Sequence, residues 1–165
     1  MMLIMKRLED AAGKLCKALL PIKHEYYLGA GKAVAISTLS SIDLPETISR
    51  SSLMNKVLIA GRLLSENKGI DAMIAFAMKH PELKLILVCG KEVRGHRPGQ
   101  ALLALASNGV DSSGRINGAV GPDPIVTSCA LDVEIFRHQV QIIDLIGSDL
   151  SVISSYIEQL SNSYK

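Results

Sequence analysis

The sequence lacks the features of disulfide-rich, secreted and membrane-spanning proteins. Its three cysteines, Cys16, Cys89 and Cys129, lie far apart and form no C-x-x-C pair, which argues against a disulfide framework and favours a reducing compartment. No stretch approaches the roughly 18 to 20 apolar residues that span a bilayer. The apolar start of the chain is too short for a signal peptide, and its charges follow it instead of preceding it. We therefore expect a soluble, cytoplasmic protein with no membrane span of its own.

The chain also lacks a basic face and a charged tail. Acidic and basic residues interleave and the net charge is only +2, which argues against a nucleic-acid-binding protein. What it does have is apolar content, 48% of 165 residues, enough for one domain with a substantial core. Cys89 falls inside an apolar run, so we expect it to be a core residue.

Strands and helices alternate along the sequence, which predicts an α/β fold, a Rossmann-like parallel sheet flanked by helices. The predicted strands are 33–39, 57–61, 83–88 and 115–120, and the predicted helices are 68–80, 99–107, 131–146 and 149–160. Residues 83–88 are apolar on both faces and are expected in the middle of the sheet. Residues 45–55 form either a short helix or an ordered loop. Residues 1–22 show the spacing of an amphipathic helix, which either packs on the domain or docks a partner.

The loop after the strand at 83–88 resembles a phosphate-binding P-loop without its reactive residues. Gly90 and Gly95 have the spacing of the P-loop glycines, but His96 and Arg97 occupy the places of the Lys and the Ser or Thr. Nucleoside triphosphate hydrolysis is therefore not expected. Binding of an anionic group at the start of the following helix stays open on this pattern.

His96 stands at the end of this loop, at the carboxyl edge of the predicted sheet, where open α/β folds bind ligands. A histidine in this place can ligate a metal, act as a general base, or be a structural polar residue. The chain has no H-E-x-x-H, H-x-H or Cys/His cluster, so a zinc site has little support. A metal held by a macrocycle needs only one protein ligand, and a single loop histidine can supply it.

One string of residues has a specific counterpart in a known family. Residues 89–100 read C-G-x-E-V-x-G-H-x-x-G-Q, preceded by S-E-N-K-G-I at 65–70 and followed by N-G-V-D at 108–111. In this order the sequence resembles the A subunit of tetrahydromethanopterin S-methyltransferase, over roughly residues 27–147. The chain departs from the family in ending with a polar tail where members commonly have a transmembrane helix. It also reads Ser40-Ser41 after Thr38-Leu39, where the family has Gly-Ser.

The resemblance implies a corrinoid carrier, binding cobalamin or a related cobamide, that takes part in methanogenesis and passes a methyl group between methyltransferase partners. His96 would be the lower axial ligand of the cobalt. The domain would cover residues 27–147, after the helix at 1–22 and before a C-terminal helix and tail at 148–165, and such a chain could dock to a membrane complex. The resemblance points to these further cofactor-binding residues: Thr38, Leu39, Glu66, Asn67, Gly90, Glu92, Gly95, Gly99, Gln100, Gly118 and Gly121.

Two questions stay open at the level of sequence. A ligating histidine needs an acceptor for its other ring nitrogen, and Glu66, Glu92 and Asp71 are candidates among which the sequence cannot choose. The D-x-H-x-x-G signature of other corrinoid proteins is absent. An alternative is a binding or regulatory module that kept the fold but takes a nucleotide-like ligand or no corrinoid.

Overall fold

The computed structural model describes residues 26–163, with side chains through residue 160. The predicted helix at 1–22 lies outside the described residues. The elements are β1 (Tyr26–Leu28), β2 (Val34–Leu39), α1 (Asp43–Ser49), a 3₁₀ turn (Ser52–Asn55), β3 (Ile59–Gly61), α2 (Lys68–Lys79), β4 (Leu85–Lys91), α3 (Pro98–Asn108), α4 (Ala130–Gln139), β5 (Gln141–Ile146) and α5 (Leu150–Ser163).

A five-stranded sheet with the order β1-β3-β2-β4-β5 forms the centre of the fold. The strands β3, β2, β4 and β5 are parallel, and the short edge strand β1 runs antiparallel. The predicted α/β class is therefore confirmed, with a mixed sheet instead of an all-parallel one. As expected, β4 is an interior strand, paired on its two edges with β2 and β5, although the middle strand of the five is β2. The residues of β4 from Leu85 to Gly90, including Cys89, are buried.

Both faces of the sheet carry helices, because the strands are apolar on both sides. On one face α2, α3 and α4 contribute Ile70, Leu102 and Phe136 to a core. On the other face α1 and α5 contribute Ile48 and Ile153. No helix within residues 26–163 is long and apolar enough to cross a membrane.

The predicted strand at 115–120 is wrong. This stretch makes only two isolated bridges, Val110 with Ile116 and Arg115 with Ile125. Gly114 and Gly118 both have positive φ angles, 82° and 83°, so the chain turns just before this stretch and again within it, and it cannot extend a ladder. Ile116 is buried, which accounts for the apolar pattern that suggested a strand.

The predicted long helix at 131–146 is also wrong, because the segment divides into α4 and β5. The helix ends at Gln139, and Val140 already has extended backbone angles. Strand β5 then pairs with β4 in parallel, from Leu85 opposite Gln141 to Gly90 opposite Ile146. The isoleucines of this segment favour a strand, and the unpaired edge of β4 supplies the partner. The open segment 45–55 lies in the end of α1 and the 3₁₀ turn.

Candidate functional site

The candidate site lies at the carboxyl edge of the sheet, where the strand order reverses. From β2 the chain passes to β3 on one side and then to β4 on the other. The loops that follow β2, β3 and β4 are residues 40–42, 62–67 and 92–97, and they adjoin one another. Such a switch point is where open α/β sheets form ligand crevices.

The loop that carries His96 is closed by the side chain of Glu92. Its carboxylate accepts hydrogen bonds from the backbone N–H groups of Gly99 (3.2 Å) and Gln100 (2.9 Å), which are free donors in the first turn of α3. A Cβ atom at Gly99 would lie 2.7 Å from Glu92 Oε2, so a larger residue there would displace the carboxylate from its present position. Arg97, just before α3, has a left-handed backbone (φ 48°) and contributes no side-chain cap. The ends of the loop are thus held together by the carboxylate of Glu92.

His96 pairs with a buried carboxylate thirty residues away in the sequence. Its Nδ1 lies 2.9 Å from Oε2 and 3.2 Å from Oε1 of Glu66. The Glu66 side chain is 0% exposed, whereas that of His96 is 57% exposed. A carboxylate at Nδ1 favours the tautomer with the proton on that nitrogen, which leaves the Nε2 lone pair free. Of the three acceptors that the sequence proposed, Glu66 is the one in contact with His96.

The other two acceptors hold loops instead. Glu92 binds the first turn of α3, as described above. Asp71 in α2 accepts hydrogen bonds from the backbone N–H and the hydroxyl of both Thr127 and Ser128, at 2.7 to 3.0 Å. Burial, the largest single influence, raises the pKa of the Asp71 carboxyl, but these hydrogen bonds together outweigh it and leave that pKa below its usual value.

Residues 121–123 pack against the histidine and its carboxylate. The backbone N–H of Asp123 donates to Glu66 Oε1 (3.1 Å), so one carboxylate serves both His96 and this segment. The Asn67 amide donates to the carbonyl (3.2 Å) and the carboxylate (3.1 Å) of Asp123. At Gly121 a Cβ atom would lie 2.5 Å from the carbonyl oxygen of His96, so the segment can lie this close only with glycine there.

Gln100 fixes the beginning of the same segment. Its amide nitrogen donates to the carbonyl of Gly118 (2.9 Å), and its amide oxygen accepts from the N–H of Val120 (3.0 Å). Gln100, in the first turn of α3, therefore orients residues 118–120 beside the histidine loop. Val120 is 59% exposed beside this contact.

Thr38, Leu39 and Gly90 lie beneath these loops. Thr38 is buried and donates through its hydroxyl to the carbonyl of Gly61 (3.2 Å). Leu39 is also buried and has a positive φ of 52°, which is unusual for a branched residue. At Gly90 a Cβ atom would lie 2.5 Å from the Ser41 hydroxyl. The structure thus gives these three residues a supporting position below the loops.

A cavity of about 540 Å³ opens at the same edge, on the face covered by α1 and α5. Ser41, Leu44, Lys91, Ser148 and Asp149 are among its lining residues. Residues 147–149 were missed because the sequence pattern placed 131–146 in one helix and so hid the strand end that they follow.

As a possible metal ligand, this edge of the sheet presents the imidazole of His96. Nowhere in residues 26–163 do three or more His, Cys, Asp or Glu side chains group as they would around a metal ion. Cys89 is not available as a ligand, since burial raises the pKa of its thiol to about 12. His96 combines a 57% exposed side chain with a buried carboxylate at its Nδ1.

Comparison with known proteins gives one consistent result. The family model for the A subunit of tetrahydromethanopterin S-methyltransferase (MtrA) matches residues 16–164. The A 2 subunit of that methyltransferase from Methanothermobacter marburgensis is 38% identical over 125 residues, which are 74% of this chain and 65% of the relative. The A subunit of the putative methyltransferase Mtx from Methanosarcina barkeri is 32% identical over 136 residues, 81% of this chain and 65% of the relative.

The relatives are longer than this chain. The A 1 subunit of the same methyltransferase from Methanobrevibacter ruminantium is 34% identical over 133 residues, and these are 78% of this chain but 51% of the relative. The chain therefore spans about half to two thirds of the length of the curated relatives it matches.

Proposed function

This chain belongs to the MtrA family, the A subunits of tetrahydromethanopterin S-methyltransferase, and from that premise we propose that it is a corrinoid-binding methyl carrier in which His96 is the lower axial ligand of cobalt. The observation that carries the proposal is the pairing of His96 Nδ1 with the buried carboxylate of Glu66 at 2.9 Å. Metal-ligating histidines in proteins almost always donate their other ring N–H to a carboxylate, a carbonyl or water.

The residues at the site fit a metal whose remaining ligands come from a macrocycle. A corrin ring supplies the equatorial nitrogens, so a single imidazole completes the protein's share of the coordination. The His96 side chain is 57% exposed, so a large flat ligand can approach it. When bound, the corrinoid supplies a cobalt centre on which a methyl group is carried.

Each neighbouring residue has a definite task toward His96. Glu66 keeps the proton on Nδ1, orients the ring, and makes Nε2 a better electron donor. Glu92 anchors the loop to α3, and Gly121 lets residues 121–123 lie against the histidine backbone. Asn67, Gly95, Gln100 and Gly118 would hold these loops in place at the rim of the corrinoid.

The partners in this proposal are the proteins that load and unload the methyl group. The relatives are named as subunits of methyltransferases, and we extend that relation to this chain: it would work with separate methyltransferase proteins in the cytoplasm. The side-chain group that contacts His96 is the carboxylate of Glu66, and this pairing supports the carrier role that we propose.

Reconstitution with a corrinoid tests the proposal directly. The apoprotein is titrated with aquacobinamide, which has no internal base to compete with the histidine, and binding is followed by visible absorbance. After reduction to Co(II), electron paramagnetic resonance should show splitting from one histidine nitrogen. His96→Ala should abolish that splitting, whereas His80→Ala, which removes another carboxylate-paired histidine, should not. Absence of binding, or equal spectra for wild type and His96→Ala, would refute the ligand assignment.

A further inference from the structure

Arg62 is a cation whose hydrogen-bonding capacity the fold does not use. It follows β3 directly, and its Nη2 donates to the backbone carbonyl of Ser40 at 3.3 Å. Its Nε and Nη1 are shielded from solvent and have no hydrogen-bond partner among the described residues. Shielded N–H groups without acceptors are destabilising, and more so when they carry charge. Residues 26–163 therefore provide no acceptor for these two nitrogens of the guanidinium.

The loops beside Arg62 present further cations without partners. Lys91, Arg94 and Arg97 are exposed, and none of them belongs to an ion pair within the described part of the chain. Ser40 links Arg62 to Lys91. Its carbonyl accepts from the Arg62 guanidinium, and its N–H and hydroxyl both donate to the backbone carbonyl of Lys91, at 2.9 and 2.6 Å.

The carboxylates at this edge are turned toward the protein's own donors. Glu66 accepts from His96 and from a backbone N–H, and Glu92 accepts from the start of α3. Asp149, at the cavity, accepts from the N–H groups of the first turn of α5. Asp43 is exposed at the start of α1 and is the remaining acid of the cavity lining. The side chains at this edge that have hydrogen bonds left to make are thus mainly cationic donors. Such donors suit phosphate oxygens.

We infer that Arg62, assisted by Lys91 and Arg94, binds a phosphate group at this edge, and that the phosphate is the phosphodiester in the nucleotide tail of the corrinoid. The inference rests on the proposed function, since it assigns the tail of the same ligand whose cobalt meets His96. Because Nε and Nη1 are shielded in this structure, the arginine side chain would have to rotate to bring them to the phosphate oxygens. The cavity lined by Ser41 and Lys91 offers the adjoining space for the rest of the tail.

The test compares two corrinoids that differ only in the phosphate. Cobinamide lacks the whole nucleotide, and cobinamide phosphate adds the phosphate alone, so no internal base competes with His96. We expect the wild-type protein to bind cobinamide phosphate about tenfold tighter or more, as a charge-assisted hydrogen-bond pair would give. The ratio should fall to near one in Arg62→Gln and should fall partly in Arg94→Gln, whose side chain is exposed and can be exchanged without disturbing the core.

Arg50→Gln is the matched control, because Arg50 is an exposed arginine at the far end of α1, paired with Glu46. It should keep the wild-type ratio. A ratio near one in the wild-type protein overturns the inference without any variant, and so does an unchanged ratio in folded Arg62→Gln. Neither outcome contradicts the assignment of His96 as the cobalt ligand, since cobinamide would still bind through His96.

A second arm separates the tail of the corrinoid from a free nucleotide as the source of the phosphate. Phosphorus NMR of AMP and inorganic phosphate with the apoprotein reports binding without any corrinoid. If neither corrinoid binds but AMP binds and is lost in Arg62→Gln, the phosphate site stands with a free nucleotide as its ligand, and the corrinoid tail is refuted. If no corrinoid and no phosphate compound binds, the inference and the proposed function both fail.

Discussion

Replacing Glu66 by glutamine should weaken corrinoid binding by disturbing the proton on His96. The carboxylate has two contacts, with the histidine Nδ1 at 2.9 Å and with the N–H of Asp123 at 3.1 Å. Glutamine has one acceptor oxygen for these two donors. If that oxygen faces Asp123, the amide N–H₂ faces Nδ1, which then must accept, and the ring proton moves to Nε2, the nitrogen that should bind cobalt.

The expected loss is about 10- to 100-fold in the affinity for aquacobinamide, or about 1.4 to 2.7 kcal/mol, which is the range for second partners of metal-ligating histidines. The free energy of unfolding should also fall by about 1 to 3 kcal/mol, because a buried charge-assisted contact is lost. Affinity is measured by absorbance titration, and stability by urea unfolding of the apoprotein.

Glu82→Gln provides the matched control, because Glu82 pairs with Nδ1 of His80 at 3.2 Å, away from the site. It should leave the affinity at the wild-type value. The reasoning is refuted if folded Glu66→Gln binds aquacobinamide within twofold of wild type. It is refuted equally if Glu82→Gln loses as much affinity, since the effect would then not pass through His96.

Three further predictions concern the surroundings of the site. Gly121→Ala should destabilise the protein by about 1 to 3 kcal/mol and weaken corrinoid binding, because the new Cβ would lie 2.5 Å from the carbonyl of His96. Urea unfolding measures the stability and absorbance titration the affinity, and unchanged values would contradict the close packing. Asp71→Asn should lower the melting temperature near neutral pH, and the difference from wild type should vanish in acid. The folded-state pKa of Asp71 lies below its ordinary 3.8. The stabilisation by its carboxylate is therefore present above the unfolded pKa and is lost as pH falls through the folded pKa. A difference that grew in acid would contradict this sign. The thiol of Cys89 is buried and has a pKa of about 12, so it should resist alkylation at about pH 8 while the exposed Cys129 reacts. Peptide mass mapping measures the labelling of each cysteine, and equal labelling of both in the folded protein would contradict the burial of Cys89.

The buried strand β4 and the histidine loop could be predicted from the sequence because their signals are local. Residues 85–89 are all apolar and are followed by Gly90, so a buried strand and the loop after it needed no knowledge of distant residues. His96 was predicted as a site residue because it lies at the end of that loop. Membership of the family was evident from the string around it, and the comparisons confirm it.

The errors arose where tertiary structure decides between two local patterns. Val133, Phe136, Val140 and Ile143 fit a helical spacing, yet β5 forms because β4 offers an unpaired parallel edge. Ile116 likewise suggested a strand, although it is buried in a loop. A single sequence contains no information on which edges remain unpaired.

The partner of His96 could not be chosen from the sequence for a similar reason. Glu66, Asp71 and Glu92 are carboxylates of comparable sequence context, and only the packing of the loops after β3 and β4 brings one of them to Nδ1. Arg62 was not among the predicted site residues, because an arginine that directly follows a strand does not by itself point to a ligand. Its distinction is the lack of acceptors around two of its nitrogens among the described residues, which appears only in three dimensions.

The clasp between Glu92 and the start of α3 limits how His96 can move. With Gly99 and Gln100 held by one carboxylate, rotation of the backbone is confined to residues 93–97. Gly95 has a φ of 86° and no described atom within 4 Å of a Cβ position, so it is the natural pivot. If His96 binds cobalt as we propose, its movement toward or away from the metal would involve these few residues, while the first turn of α3 keeps its hydrogen bonds to Glu92. A protein that senses this displacement must therefore contact residues 94–97 themselves.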